Sequence, residues 1–186
     1  MPRPLRVQAP GATYHITSRG NRRQPVFLDS DDHSFHLWCL NKVSAESEWD
    51  IFGFVHMTNH FHFLVRTPKP NLSRGMQRLN GLYGQVFNIR HGLSGHVFQG
   101  RFHSELVESE GHLFECARYD DLNPVRAGLC DHPLDWRWSS CRAVMGLVPK
   151  PDFLQFGWLL DQFGPNLERA RQRYLAFVED RLERAA

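Results

Sequence analysis

The 186-residue sequence predicts an α+β domain, a small and mainly antiparallel sheet with helices laid on it. Three observations carry that expectation. The segments read in the order strand, helix, two strands, helix, strand, helix. "HFHFLVR" (60–66) has the period of a strand, with Phe61, Phe63 and Val65 on one face and His60, His62, Leu64 and Arg66 on the other. Residues 72–92 instead carry apolar side chains at Leu72, Met76, Leu79, Tyr83 and Phe87, the spacing of a helix.

The elements follow in order. "ATYHITSRG" (12–20) reads as a first strand ending at glycine, and "NRRQ" as a basic turn after it. Residues 30–47 open on Ser and Asp capping signals and keep helical apolar spacing at Phe35, Leu37, Trp38, Leu40 and Val43. "DIFGFVHM" (50–57) is a strand, Thr58 and Asn59 a tight turn, and 60–66 its hairpin partner. Pro68 and Pro70 make "TPKPN" a loop, and the 72–92 helix follows, weakened by Gly75, Gly81 and Gly84. Residues 96–109 read as loop and strand, and 110–123 as a short helix stopped by Pro124. "DWRWSSCRAVMG" (135–146) is a tail onto the core. "LVPKP" (147–151) reads as a linker before two amphipathic helices. The expected division is therefore a domain over 1–146 and a helical extension over 147–186.

Composition narrows the function classes. With 41% hydrophobic and 23% charged residues, the chain can build a globular core. The net charge of +2 is uneven: residues 1–104 carry +6 and residues 105–186 carry −4. A basic front half suits a polyanionic partner, or is a solvated surface. The four cysteines show no C-x-x-C spacing, which argues against a zinc knuckle. "MPRPLRVQAPGA" lacks the apolar run of a signal peptide, and no run of 18 apolar residues suggests a membrane span, so a cytoplasmic location with reduced thiols is expected.

The histidine pair is the sharpest local signal. Two imidazoles at i and i+2 on a strand project in parallel, close enough to share one divalent metal ion. The alternative is two partly buried histidines with local hydrogen bonds, and the pair alone leaves both open.

The surrounding residues extend the signal. "HMTNHFHFLV" resembles the "MPNHxHLLV" signature of the HUH single-strand tyrosine transposases. "YHITSRGNRRQPVF" (14–27), "NLSRGMQRLNGLYGQVFNIRHG" (71–92), "GHVFQGRFHSELVE" (95–108), "RYDDLNPVRAGL" (118–129) and "DWRWSSCRA" follow in that family's order. The resemblance is to the REP-associated tyrosine transposase subgroup and covers about residues 1–146. It implies a ferredoxin-like antiparallel sheet carrying the histidines. It also implies an endonuclease and strand-transferase that nicks single-stranded DNA near hairpins and rejoins it through a 5′-phosphotyrosine link. The partner implied is single-stranded DNA with hairpin or palindromic repeats, bound by a monomer or homodimer, with no membrane.

Carried over position by position, the resemblance places the nucleophile at Tyr119, four residues before the "NP" of "YDDLNP". It places a divalent metal, Mg or Mn, on His60 and His62. A phenol ordinarily ionises near pH 10, so a tyrosine needs such help. Relatives use a polar side chain four residues past the tyrosine as third ligand, here Asn123, which a helix would put on the face of Tyr119 and Glu115. Asn123 before Pro124 also reads as a helix N-cap, and both readings stand at this point. Asp120 and Asp121 depart from the family's usual "YIHLNP" and would set two carboxylates beside the nucleophile. Arg19, Arg22, Arg23, Arg74, Arg78 and Arg101 are the candidate phosphate contacts, and Phe98 and Phe102 are stacking platforms or core. His56 is expected to be structural. Two rival readings are a domesticated hairpin-binding module that no longer cleaves, and a protein whose histidines hold structural zinc. The second lacks four visible ligands.

Overall fold

The computed structural model describes residues 8–183, so the first half of the opening "MPRPLRVQAPGA" lies outside the described residues. Four strands, β1 (Ala12–Arg19), β2 (Asp50–His56), β3 (His60–Thr67) and β4 (His103–Leu106), form one antiparallel sheet in the order β2-β3-β1-β4. With helices α1 (Ser30–Ser47) and α2 (Leu72–His91) between them, the path is β-α-β-β-α-β, the ferredoxin-like arrangement. The α+β expectation and its strand order of events hold.

β3 and β1 are central. Phe61, Phe63 and Val65 point with Tyr14 and Ile16 into a core closed by Leu40 and Val43 of α1 and by Leu72, Met76, Leu79 and Tyr83 of α2. Asp29 caps α1, its carboxylate accepting from the Asp31 and Asp32 N–H groups at 3.0 Å each. Gly75 is fixed by packing, because a Cβ there would lie 2.1 Å from the Trp49 ring. Phe98 and Phe102 are buried, so they are core and not platforms for bases. His56 is structural as expected. Its ring bridges His33 and His36, with nitrogens 3.2 and 3.0 Å apart, in a cluster stacked on Phe27 and Trp138.

Helix α3 (Glu110–Arg126) covers the opposite face of the sheet. Ser109 caps it, accepting from the His112 N–H. Pro124 does not stop this helix. The proline removes the one bond that would reach the Asp120 carbonyl, while Leu122 and Pro124 bury their side chains and the last turn closes on Ala127, Gly128 and Leu129 N–H groups. Asn123 is therefore inside a helix, and the N-cap reading falls. The strand expected somewhere in 96–109 is only four residues long.

Beyond α4 (Cys141–Val144), the chain 152–183 holds two unequal helices, α5 (Gly157–Asp161) and α6 (Leu167–Glu183). Leu154, Leu159, Leu160, Tyr174 and Val178 join the same core as the sheet. The Tyr174 hydroxyl donates to Asp121 Oδ2 at 2.6 Å, which ties α6 to α3. Burial holds the Asp121 carboxyl up at about 7, opposed by the Tyr174 bond. No helix among the described residues is long and apolar enough to cross a membrane.

Candidate active site

Strand register assembles the site. Thr17 pairs with His62 and Arg19 with His60 across β1 and β3, so His15, Thr17, Arg19, His60 and His62 share the face that α3 covers. The strand pairing is backed by the core on the other face, and α3 is held on this face by its own buried Leu113, Ala117 and Leu122.

The turn before β3 orients His60. The Asn59 amide nitrogen donates to the Arg23 carbonyl at 3.0 Å, which leaves its oxygen to accept from His60 Nδ1 at 2.7 Å. That network puts the His60 proton on Nδ1 and leaves Nε2 with a free lone pair. The same asparagine thus anchors the turn carrying Arg22 and Arg23, both with positive φ (53° and 60°). Gly20 admits that turn: a Cβ there would meet the Gln24 carbonyl oxygen at 2.1 Å.

His62 is held in a parallel way. Its Nδ1 lies 3.0 Å from Thr17 Oγ1 and 3.7 Å from Asp120 Oδ1, and its Nε2 lies 3.3 Å from the Asn123 amide nitrogen, a donor. Again Nε2 is the atom with the lone pair. Burial pushes His60 and His62 down to about 4, with Asp120 opposing and Arg19 adding for each. Both are neutral near pH 7, the form that ligates metal.

Asp120 sits behind this pair. Its Oδ1 accepts from His15 Nε2 at 2.9 Å, and its buried Oδ2 has no partner among the described residues. Burial works against charge on His15, but the charge and hydrogen bond of Asp120, with Glu105 adding, raise its pKa above the ordinary value. The donors suit a divalent ion in two overlapping ways. The His60 and His62 rings have centroids 5.0 Å apart, and His62 Nε2 stands 3.3 Å from the Asn123 amide. His15, His62 and Asp120 also offer ligand atoms within 4.8 Å of one another. The carboxylates of Asp120 and Asp121 are both buried and neither lines the cleft; Asp120 pairs with His15 and Asp121 with Tyr174, so neither is presented directly to a phosphate there.

Tyr119 stands over the histidines. Its ring centroid is 5.7 Å from that of His62 and 6.0 Å from that of His15. It lines an open cleft of about 480 Å³ together with both, and with Arg126 and Arg181. Of the four tyrosines, Tyr14, Tyr83 and Tyr174 are buried, and only Tyr119, 43% exposed, presents its ring to solvent.

The arginines divide. Arg19, Arg22 and Arg23 are exposed at the His60 end of the sheet. Arg74 and Arg78 lie on α2, in the layer on the far side of the sheet, and Arg78 is 3.7 Å from Glu46. Arg101 lies beside α2 with Gln77 and Asn80. Arg74 and Arg78 thus lie apart from Arg19, Arg22 and Arg23, whereas the segment carrying Arg101 runs beside Arg19, whose carbonyl accepts from the Gln99 N–H at 2.7 Å. His15, Thr17, Asn59 and Arg126 are the site residues that sequence reasoning passed over. Alternation along β1 was the available signal for His15 and Thr17. For Arg126 it was the seven-residue spacing from Tyr119, hidden once Pro124 was read as a stop.

Comparison with known proteins bears on the family and the fold. The family model described as "Transposase IS200 like" matches residues 8–119. A solved structure of a REP-associated tyrosine transposase bound to a REP hairpin is similar at a TM-score of 0.68 and 22% identity, covering 84% of this chain and 96% of that one. A protein of Deinococcus radiodurans R1 assigned as a transposase is similar at a TM-score of 0.45 and 15% identity, covering 64% of this chain and 93% of its own. No curated protein matches the sequence.

Proposed function

The chain belongs to the family of IS200-like transposases, and on that premise we propose that it nicks and rejoins single-stranded DNA beside a hairpin, with Tyr119 as nucleophile. The observation that carries the reading is the exposure of Tyr119 alone among the tyrosines, with its ring against His62. The tyrosine oxygen forms a bond to phosphorus and the bond from phosphorus to the 3′ oxygen breaks. The phenol gives up one proton and the departing oxygen takes one, leaving a 5′-phosphotyrosine and a free 3′-hydroxyl. The link keeps the energy of the broken diester, so a second 3′-hydroxyl can reverse the step without ATP.

A divalent ion, Mg or Mn, bound by His60 and His62 with the Asn123 amide would supply a Lewis acid that polarises the phosphate. The chain's own residues prepare that position. Asn59 and Thr17 hold the two imidazoles with Nε2 outward, and Asp120 places negative charge behind His62. Arg19, Arg22 and Arg23 form the basic rim that receives the DNA backbone. The hairpin partner is supported by the REP hairpin bound to the structural relative. The rival reading of a non-cleaving binder drew on Asp120 and Asp121; their burial and their pairing with His15 and Tyr174 favour the cleaving reading, and the adduct test decides between the two.

The test uses a 3′-labelled hairpin oligonucleotide with Mn. Wild type should give a labelled band that survives SDS and shifts by the mass of the protein. Tyr119→Phe, which removes one oxygen, should bind the oligonucleotide within a few-fold and give no such band. An adduct that persists in the variant would assign the nucleophile elsewhere.

A further inference from the structure

We propose that Arg126 is a further catalytic residue, which grips the non-bridging oxygens of the scissile phosphate as Tyr119 attacks it. The inference rests on the reading of Tyr119 as nucleophile and adds to it the group that receives the phosphate. Arg126 lies seven residues after Tyr119 on α3, two helical turns along the same face. Its guanidinium carbon stands 5.7 Å from the centre of the Tyr119 ring, and it lines the cleft that Tyr119 and His62 line.

The other cleft arginines are already committed. Arg118 donates to both carboxylate oxygens of Glu115 and lies 4.2 Å over the Phe177 ring, and Arg181 is 3.9 Å from the same Glu115. Arg126 forms no ion pair with an acidic side chain among the described residues and is exposed to the cleft. An exposed guanidinium beside the nucleophile is a fork of donors matched to the oxygens of a phosphate. The ring contact and the closed last turn of α3 place it where a charged ligand would arrive. Pro124 inside the helix places it there: had the helix ended at Asn123, Arg126 would not share the Tyr119 face.

In the transfer step Arg126 exchanges no proton. The phosphate keeps its negative charge from the diester through to the phosphotyrosine, and the guanidinium donates hydrogen bonds throughout. Its contribution is electrostatic, of the kind that costs roughly 100-fold or more in rate when one donor to a reacting anion is removed.

The experiment measures single-turnover adduct formation with the hairpin oligonucleotide and Mn for wild type, Arg126→Ala and Arg126→Lys, with oligonucleotide affinity measured alongside. Arg126→Ala should slow adduct formation ~100-fold or more while hairpin affinity and thermal midpoint stay near wild type, and Arg126→Lys should fall between. A methylphosphonate at the scissile position, which removes the phosphate charge, supplies the readout that a structural role would not move. Wild type should lose its advantage over Arg126→Ala on that substrate. If wild type forms the adduct and Arg126→Ala forms it at the same rate, the inference is overturned while the Tyr119 reading stands. The same holds if the ratio of the two is unchanged by the methylphosphonate. If wild type forms no adduct at all, the Tyr119 reading fails and this inference falls with it.

Discussion

Replacing Asp120 by Asn tests whether the carboxylate behind His62 serves the metal position. The change keeps shape and one acceptor for His15 Nε2, now 2.9 Å away, and removes one negative charge. The carboxylate lies 3.7 Å from His62 Nδ1. At an effective dielectric near 20, unit charges at that distance interact by about 4 to 5 kcal/mol, an upper bound because His62 carries only the partial charge that a bound cation induces. Loss of an outer carboxylate typically costs ~10- to 100-fold in metal affinity, which is about 1.4 to 2.7 kcal/mol. Calorimetric titration of metal-free protein with Mn should show that loss in Asp120→Asn. A second effect follows from His15. Its folded pKa is raised above 6.5, so its pairing contributes stability that is full below pH 6.5 and lost as pH rises through the folded value. The deficit of the metal-free variant should therefore be larger near pH 5.5 than near pH 8. Unchanged Mn affinity in a well-folded Asp120→Asn protein would refute the role assigned to this carboxylate.

Two other outcomes are expected. Burial lowers the folded pKa of His33 to about 4, of His36 to about 3, of His56 well below its ordinary value, and of His60 and His62 to about 4, whereas Asp121 is raised to about 7. Between pH 6.5 and 4 the unfolded chain thus binds more protons at five histidines and fewer at one carboxyl, so stability falls as the pH drops. Urea midpoints that hold steady from pH 6.5 to 4.5 would contradict this. Arg22→Ala with Arg23→Ala should reduce the slope of log affinity against log salt for single-stranded DNA by about 0.7 per lost contact, whereas Arg78→Ala, on the far layer and beside Glu46, should leave it unchanged. Equal slopes for both variants would move the DNA path to another surface.

The sheet and the histidine pair were legible because they rest on local periodicity. The alternation of 60–66 put Phe61 and Phe63 in the core and His60 and His62 opposite, as the structure has them. What periodicity does not carry is register between strands. Thr17 meets His62, and His15 reaches Asp120, only because β1 pairs with β3 in one particular alignment. Pro124 misled in a different way. Its local penalty is real, but burial of Leu122 and Pro124 against the sheet outweighs it and carries the helix one turn further to Arg126. The adjacent Asp120 and Asp121 read as charges beside a nucleophile, yet successive helix positions point in different directions, and both turn inward to His15 and Tyr174.

The central claim is that Tyr119 becomes covalently bound to the 5′ end of cut DNA, and one measurement addresses it directly. Trypsin cuts after Arg118 and Arg126, so Tyr119 heads the peptide "YDDLNPVR" (119–126) and is its sole tyrosine. Wild-type protein incubated with hairpin oligonucleotide and Mn, trimmed with nuclease and digested, should yield this peptide carrying a phosphonucleoside, with fragmentation placing the added mass on Tyr119. The modified mass on another tyrosine-bearing peptide, or an unmodified 119–126 peptide from protein that has nicked its substrate, would contradict the account.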